Sequence, residues 1–159
     1  MFSMTAEYAM RAMVALASAH GTTVSSESIA RRTKVPPRYM SKVMRDLTHA
    51  GLVVSQRGPR GGFALARPPA QITILDVVNA VDRFTHITSC PLGNPAHLKL
   101  CPLHQRLEDA IDAVERALSG STLGEVVASA GPAGGGLIRP AGSSSPIRAR
   151  RRRGRATSS

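Results

Sequence analysis

Aromatic residues are scarce in this chain of 159: they make up 3%, and there is no Trp. Any core must therefore be built from Ala, Val, Leu, Ile and Met, which a hydrophobic content of 42% permits. Cysteine is also sparse. Two residues, Cys90 and Cys101, are too few for a disulfide-stapled secreted fold. No apolar run approaches the roughly 18 residues of a membrane span, so no membrane partner is expected. Met1 to His20 has no basic start, and Glu7 and Arg11 interrupt its apolar stretch, which argues against a signal peptide. The expected compartment is the cytoplasm, where thiols stay reduced. There is no Gly-rich phosphate loop and the acids are scattered, so an enzyme is not expected. Negative charge is what the chain lacks most: 10 Asp and Glu face 21 Lys and Arg, a net of +11.

That charge is uneven, and it divides the chain into three modules. Residues 1–67 carry ten basic and three acidic side chains, residues 68–129 carry four and seven, and residues 130–159 carry seven Arg and no acid. A basic head, a mildly acidic middle and a basic tail follow one another. Because like charge opposes compaction, the head's excess points to a polyanionic partner. The tail, with its Gly, Ser and Pro runs and six Arg between Arg148 and Arg155, cannot bury a core and is read as disordered. It could add salt-sensitive phosphate affinity or have no role.

The head reads as three helices and a hairpin. Tyr8, Ala9, Ala12, Met13, Leu16 and Ala17 share one face of a helix over 5–19, stopped by Gly21. Ser25 is an N-cap, with Val24 and Ile29 spaced as a staple, for a short helix over 26–33. Pro36 and Pro37 break it and open a third helix running to Ala50, where Gly51 terminates it. Met40, Val43, Met44 and Leu47 form that helix's apolar stripe, while Arg38, Tyr39, Ser41, Lys42 and Arg45 cover the other side. This is the pattern of a helix-turn-helix whose second helix offers its N-terminal residues to the major groove. It is equally the pattern of an ordinary amphipathic helix with a solvated face. The alternating segments 52–55 and 63–66 then flank Gln56-Arg57-Gly58-Pro59-Arg60-Gly61-Gly62, a tight loop with Arg57 and Arg60 near its tip. Such a wing suits a minor groove, where negative potential is high. The expected class is mainly α: a winged helix-turn-helix with a two-stranded wing.

Beyond the head, Thr73 can cap a short helix carrying Ile74, Val77, Val78 and Val81. An irregular loop from about Phe84 to Pro102 leads to a long helix starting at Pro102. On it, Leu107, Ile111, Val114 and Leu118 are spaced four, three and four apart, an a/d seam suited to dimer packing or to its own domain. Asp109, Asp112, Glu115 and Arg116 lie off the seam. Thr122 and Glu125 have capping-box spacing for a last helix to about Val127.

These segments together resemble the bacterial IscR/NsrR family of winged-helix regulators, the Rrf2 family. The matching stretches are Thr5 to Ala12, Val35 to Met40, Ala50 to Val53, Gly58 to Leu65, Ile72 to Val81, Cys90-Pro91-Leu92 and Cys101-Pro102-Leu103-His104. The resemblance covers about residues 1–129. It implies a dimeric transcription factor, usually a repressor, that reads an inverted-repeat operator in double-stranded DNA. It implies major-groove contacts from Tyr39, Ser41, Lys42 and Arg45, and minor-groove contacts from Arg57 and Arg60. Many members carry an iron–sulfur cluster that senses nitric oxide, redox state or cluster supply.

On their own chemistry, Cys90 and Cys101, with His97 between them and His104 three residues on, offer soft and borderline donors suited to iron–sulfur or zinc. A pair of structural cysteines is the plainer alternative. The chain lacks the third Cys that many relatives carry in this loop; Ala96 and His97 stand near its place. A minority pattern uses two Cys, a His and an acid from the partner's first helix. On that resemblance the expected group is a [2Fe-2S] cluster held by Cys90, Cys101, His104 (or His97) and Glu7 of the partner subunit. Arg11 stands where that minority has its His. Glu7 can also be a plain first-turn acid favoured by the helix dipole. Two rivals stay open. One is a cluster-free winged-helix regulator responding to thiol oxidation or a small ligand. The other is a DNA-packaging protein without regulatory function.

Overall fold

The computed structural model describes residues 2–19, 21–59, 61–87 and 101–129. Arg60, Cys90, His97 and the basic tail fall outside the described residues. Six helices appear among them: α1 Met4–Ala17, α2 Ser26–Thr33, α3 Pro37–His49, α4 Ile74–Val81, α5 Pro102–Ser119 and α6 Leu123–Ser129. Two strands, β1 Val53–Gln56 and β2 Gly62–Leu65, form an antiparallel hairpin that pairs Val53 with Leu65 and Gln56 with Gly62.

Each boundary has a local cause. Ser3 caps α1 by accepting from Ala6 N–H at 3.1 Å. The helix ends at Ala17, two residues before the sequence pattern does. Ser18 turns its hydroxyl back onto the Val14 carbonyl at 2.8 Å, a local bond that competes with helix continuation. Ser25 caps α2, and Lys34 ends it in a left-handed conformation at φ 55°. Pro36 and Pro37 then start α3 at once, so the connection between the two helices is three residues. Beyond α3, the Leu52 N–H donates to the Leu47 carbonyl at 3.0 Å. Leu52 therefore belongs to the helix exit, and the wing strands lie one residue further towards the tip than the alternation of apolar residues places them.

One core holds the head together. Met13, Leu16, Ile29, Val35, Met40, Val43, Met44, Leu47, Leu52 and Val53 are buried, and Ile72, Val77 and Leu123 belong to the same cluster. Residues far along the chain thus pack on α1–α3. Two pairings tie them in, and neither has a local sequence signal. Val24 bridges Phe63 as a third, one-residue strand of the wing sheet, and Thr73 bridges Thr122. Thr73 with Asp76 and Thr122 with Glu125 form capping boxes, which satisfy orphan N–H groups at the starts of α4 and α6. By contrast, α5 has no buried residue along its 18 positions.

Candidate functional site

The apolar stripe of α3 is buried, which turns its opposite face outward. Arg38, Tyr39, Ser41, Lys42 and Arg45 are all exposed. There is no acid in the first turn of this helix. Ser41 bonds back to the Pro37 carbonyl at 3.1 Å. Tyr39 lies against Tyr8 of α1 with ring centroids 6.1 Å apart, so α1 braces the start of the helix. Lys42 reaches Asp46 at 2.7 Å, and Arg45 approaches the same carboxylate at 3.8 Å. One acid facing two cations leaves positive charge to spare. Exposed pairs of this kind contribute little to stability and part readily when a phosphate competes.

The wing is rooted on α3 through Leu52 and projects Arg57, also exposed, at the end of β1. The start of its second strand cannot accept side chains. A Cβ on Gly62 would lie 2.7 Å from the Val24 carbonyl oxygen, and one on Gly61 2.5 Å from that of Gln56. Gly58 at φ 123° turns the tip. The glycines of this loop are thus required by close backbone approach and by a positive φ.

Of the cysteine-loop residues, Cys101 and His104 are described and they meet. Cys101 precedes the first turn of α5, and its Sγ lies 3.1 Å from His104 Nδ1. Both are half-buried. This places one soft and one borderline donor side by side, as a shared metal group requires. Glu7 sits in the first turn of α1, half-buried, in an ion pair with Arg11 of the same helix. Arg11 also donates to the Thr33 carbonyl at 3.4 Å, where α2 gives way to the turn before α3. The seam of α5 carries Leu107 at 47% and Val114 at 38% exposure, with Ile111 and Leu118 half-buried. Leu103, at 64%, extends the same apolar surface.

Residues 2–129 match the Rrf2 family, described as iron-dependent transcriptional regulators. The chain belongs to the Rrf2 family. Among its relatives, the HTH-type transcriptional regulator IscR of Cronobacter sakazakii is 35% identical over 123 residues, which span 76% of this chain and 75% of that one. Among solved structures, IscR of T. potens superposes with a TM-score of 0.67 at 28% identity, covering 82% of this chain and 88% of that one. CymR, the global cysteine regulator of B. subtilis, superposes at 0.64 and 28%, covering 81% and 97%. This Rrf2 protein is a winged-helix transcriptional regulator and not an enzyme. Among the described residues no helix is long and apolar enough to cross a membrane.

Proposed function

We propose that this Rrf2 regulator is a homodimer that binds an inverted-repeat operator in duplex DNA and represses transcription from it. In this reading Arg38, Tyr39, Ser41, Lys42 and Arg45 enter the major groove while Arg57 and Arg60 reach the minor groove. The observation that carries it is the basic, acid-free start of α3 beside a glycine-built wing. Leu107, Ile111, Val114 and Leu118 join two copies along α5, which supplies the two-fold axis that an inverted repeat demands.

In the same reading, Cys90, Cys101, His104 and Glu7 of the partner subunit hold a [2Fe-2S] cluster. The adjacent thiol and imidazole of Cys101 and His104 support it. When bound, the cluster supplies a redox-active group whose potential is raised by mixed nitrogen and oxygen ligation. The chain's own part is to couple that site to the DNA face. Glu7 pairs with Arg11, Arg11 holds the Thr33 carbonyl at the turn, and Tyr8 braces Tyr39. A change of partner for Glu7 therefore bears on Arg11 and, through it, on the Thr33 carbonyl at the end of α2, while the neighbouring Tyr8 carries the contact to α3. A sensor must bind DNA differently in its two states, and this path gives α1 the means.

A second reading, a cluster-free regulator responding to thiol oxidation or a small ligand, is favoured by the Glu7–Arg11 pair and by the missing third cysteine. Iron and sulfide assay of anaerobically purified protein, with its visible spectrum, separates the two. Iron and sulfide in equal amounts, lost in Cys101→Ser, support the cluster. Colourless protein that stays iron-free after reconstitution removes it and leaves the second reading. Footprinting tests the DNA reading: a discrete inverted repeat supports it, and uniform coating would indicate packaging instead.

A further inference from the structure

Away from the basic face and from Cys101, one titratable cluster joins two parts of the molecule that are distant in sequence. His86 lies in the segment after α4 and meets the acidic flank of α5. Its Nδ1 is 2.5 Å from Glu108 Oε1, and its Nε2 is 3.4 Å from Glu115 Oε1. The Ile87 N–H donates to Glu108 Oε2 at 2.8 Å. Asp112 stands one turn along α5 from Glu108, and a donor atom from each of His86, Glu108 and Asp112 lies within 4.8 Å of the other two.

We propose that His86, Glu108 and Asp112 form a binding site for a divalent first-row transition cation, with Glu115 as the outer partner of the imidazole. Charge is the first argument. Three carboxylates converge on the imidazole, and an imidazole that ligates a cation is neutral, which leaves three negative charges. Among the described residues no Lys or Arg side chain pairs with any of the three. A divalent cation offsets two of those charges. The second argument is the arrangement around the donors. A metal-bound His almost always gives its other ring nitrogen to a carboxylate or carbonyl, and a ligating carboxylate is itself hydrogen-bonded. Glu115 on the second ring nitrogen and the Ile87 N–H on the second Glu108 oxygen have those two roles. The third is donor type. One imidazole and two carboxylates, with no thiolate, suit Mn²⁺, Fe²⁺ or Zn²⁺ over softer ions.

The position gives the site a consequence. His86 precedes the cysteine segment 88–100 and Glu108 follows it, so a cation here fastens both flanks of that segment and ties α5 to the end of α4. It does so whether or not Cys90 and Cys101 hold a cluster.

The test is Mn²⁺ titration of the full chain, read by the loss of the free-ion electron paramagnetic resonance signal. The background is Cys90→Ser/Cys101→Ser, because Mn²⁺ and a thiol-free chain together exclude the cysteine loop. The same titration on the thiol-containing wild type under reducing conditions gives the result without depending on the folding of that variant. One Mn²⁺ per chain is expected, with affinity lowered tenfold or more by His86→Gln and by Asp112→Asn, and unchanged by Glu27→Gln on α2. No binding, equal binding in His86→Gln and Asp112→Asn, or an equal loss in Glu27→Gln would overturn the site. Loss of iron and sulfide on cysteine substitution with Mn²⁺ binding intact would uphold this site and the cluster separately.

Discussion

Single side chains in this protein act mainly by setting where backbone can go. Gly62 shows it most sharply. Its α-carbon passes so close to the Val24 carbonyl that a methyl group would sit at 2.7 Å, a contact with backbone that cannot swing aside. Gly62→Ala should therefore lose the Val24–Phe63 pairing and destabilise the head by about 1–3 kcal/mol, read as a lower midpoint in urea. An unchanged midpoint would mean the wing sheet is not fastened to Val24. His86 is the other decisive residue. The Glu108 hydrogen bond, aided by the charges of Glu108 and Glu115, holds its pKa above the ordinary imidazole value. The Ile87 N–H and His86 hold the Glu108 carboxyl below its own. The sign follows for each. The histidine's part of the contact is whole below the ordinary imidazole range and is lost as pH rises through the raised value. The glutamate's part is whole above the ordinary carboxyl range and is lost as pH falls through the lowered one. In metal-free protein the contact is thus complete between the ordinary carboxyl and imidazole ranges and weakens as pH rises through the raised His86 value. An NMR titration of the His86 ring should give a midpoint above that of a solvent-exposed His, falling back in Glu108→Gln. A midpoint unmoved by Glu108→Gln would contradict the geometry.

At the scale of elements, α5 stands apart. The other long helices, α1 and α3, bury a face within their own chain, whereas α5 buries none of its residues fully. Its apolar seam is the surface proposed above to join two copies. Leu107→Asp with Val114→Asp should convert a dimer to a monomer in sedimentation velocity and change thermal stability little at dilute protein, because neither side chain supports the single-chain core. A variant that stays dimeric would move the interface elsewhere. What was legible in the sequence sorts by range along the chain. The two prolines, Gly51 and the Gly-rich tip announce α2, α3 and the wing, because caps and turns are local chemistry. Seam and basic face are legible too, since helical spacing is periodic. The bridges Val24–Phe63 and Thr73–Thr122 were not, as pairings between distant residues leave no local mark. His86 was missed for the same reason. Its one trace is the spacing of Glu108, Asp112 and Glu115 by four and three, which puts three acids on one side of α5 and reads otherwise as a solvated flank.

The whole molecule places its charge where its work is. A basic head with α3 and the wing outward is joined to an acidic α5. Leu123, beyond that helix, returns to the head core at 1% exposure. This route makes α5 an arm anchored at both ends, through α4 on one side and α6 on the other. In the proposed reading, a change at Cys101 or His86 would bear on the head that carries the recognition helix. In the proposed reading α3 and the wing grip duplex grooves together. The most direct measurement is selection of duplex DNA from a random pool by the full-length protein, followed by the affinity of the selected duplex for the wild type and for a charge-reversed variant at Lys42, Arg45, Arg57 and Arg60. Base-reading contacts are worth about 1–3 kcal/mol each, and phosphate contacts make binding fall steeply with salt. Enrichment of an inverted repeat is expected, with affinity that drops with added salt and a loss of more than a hundredfold in the variant. A pool without enrichment, or a variant that binds as the wild type does, would contradict it.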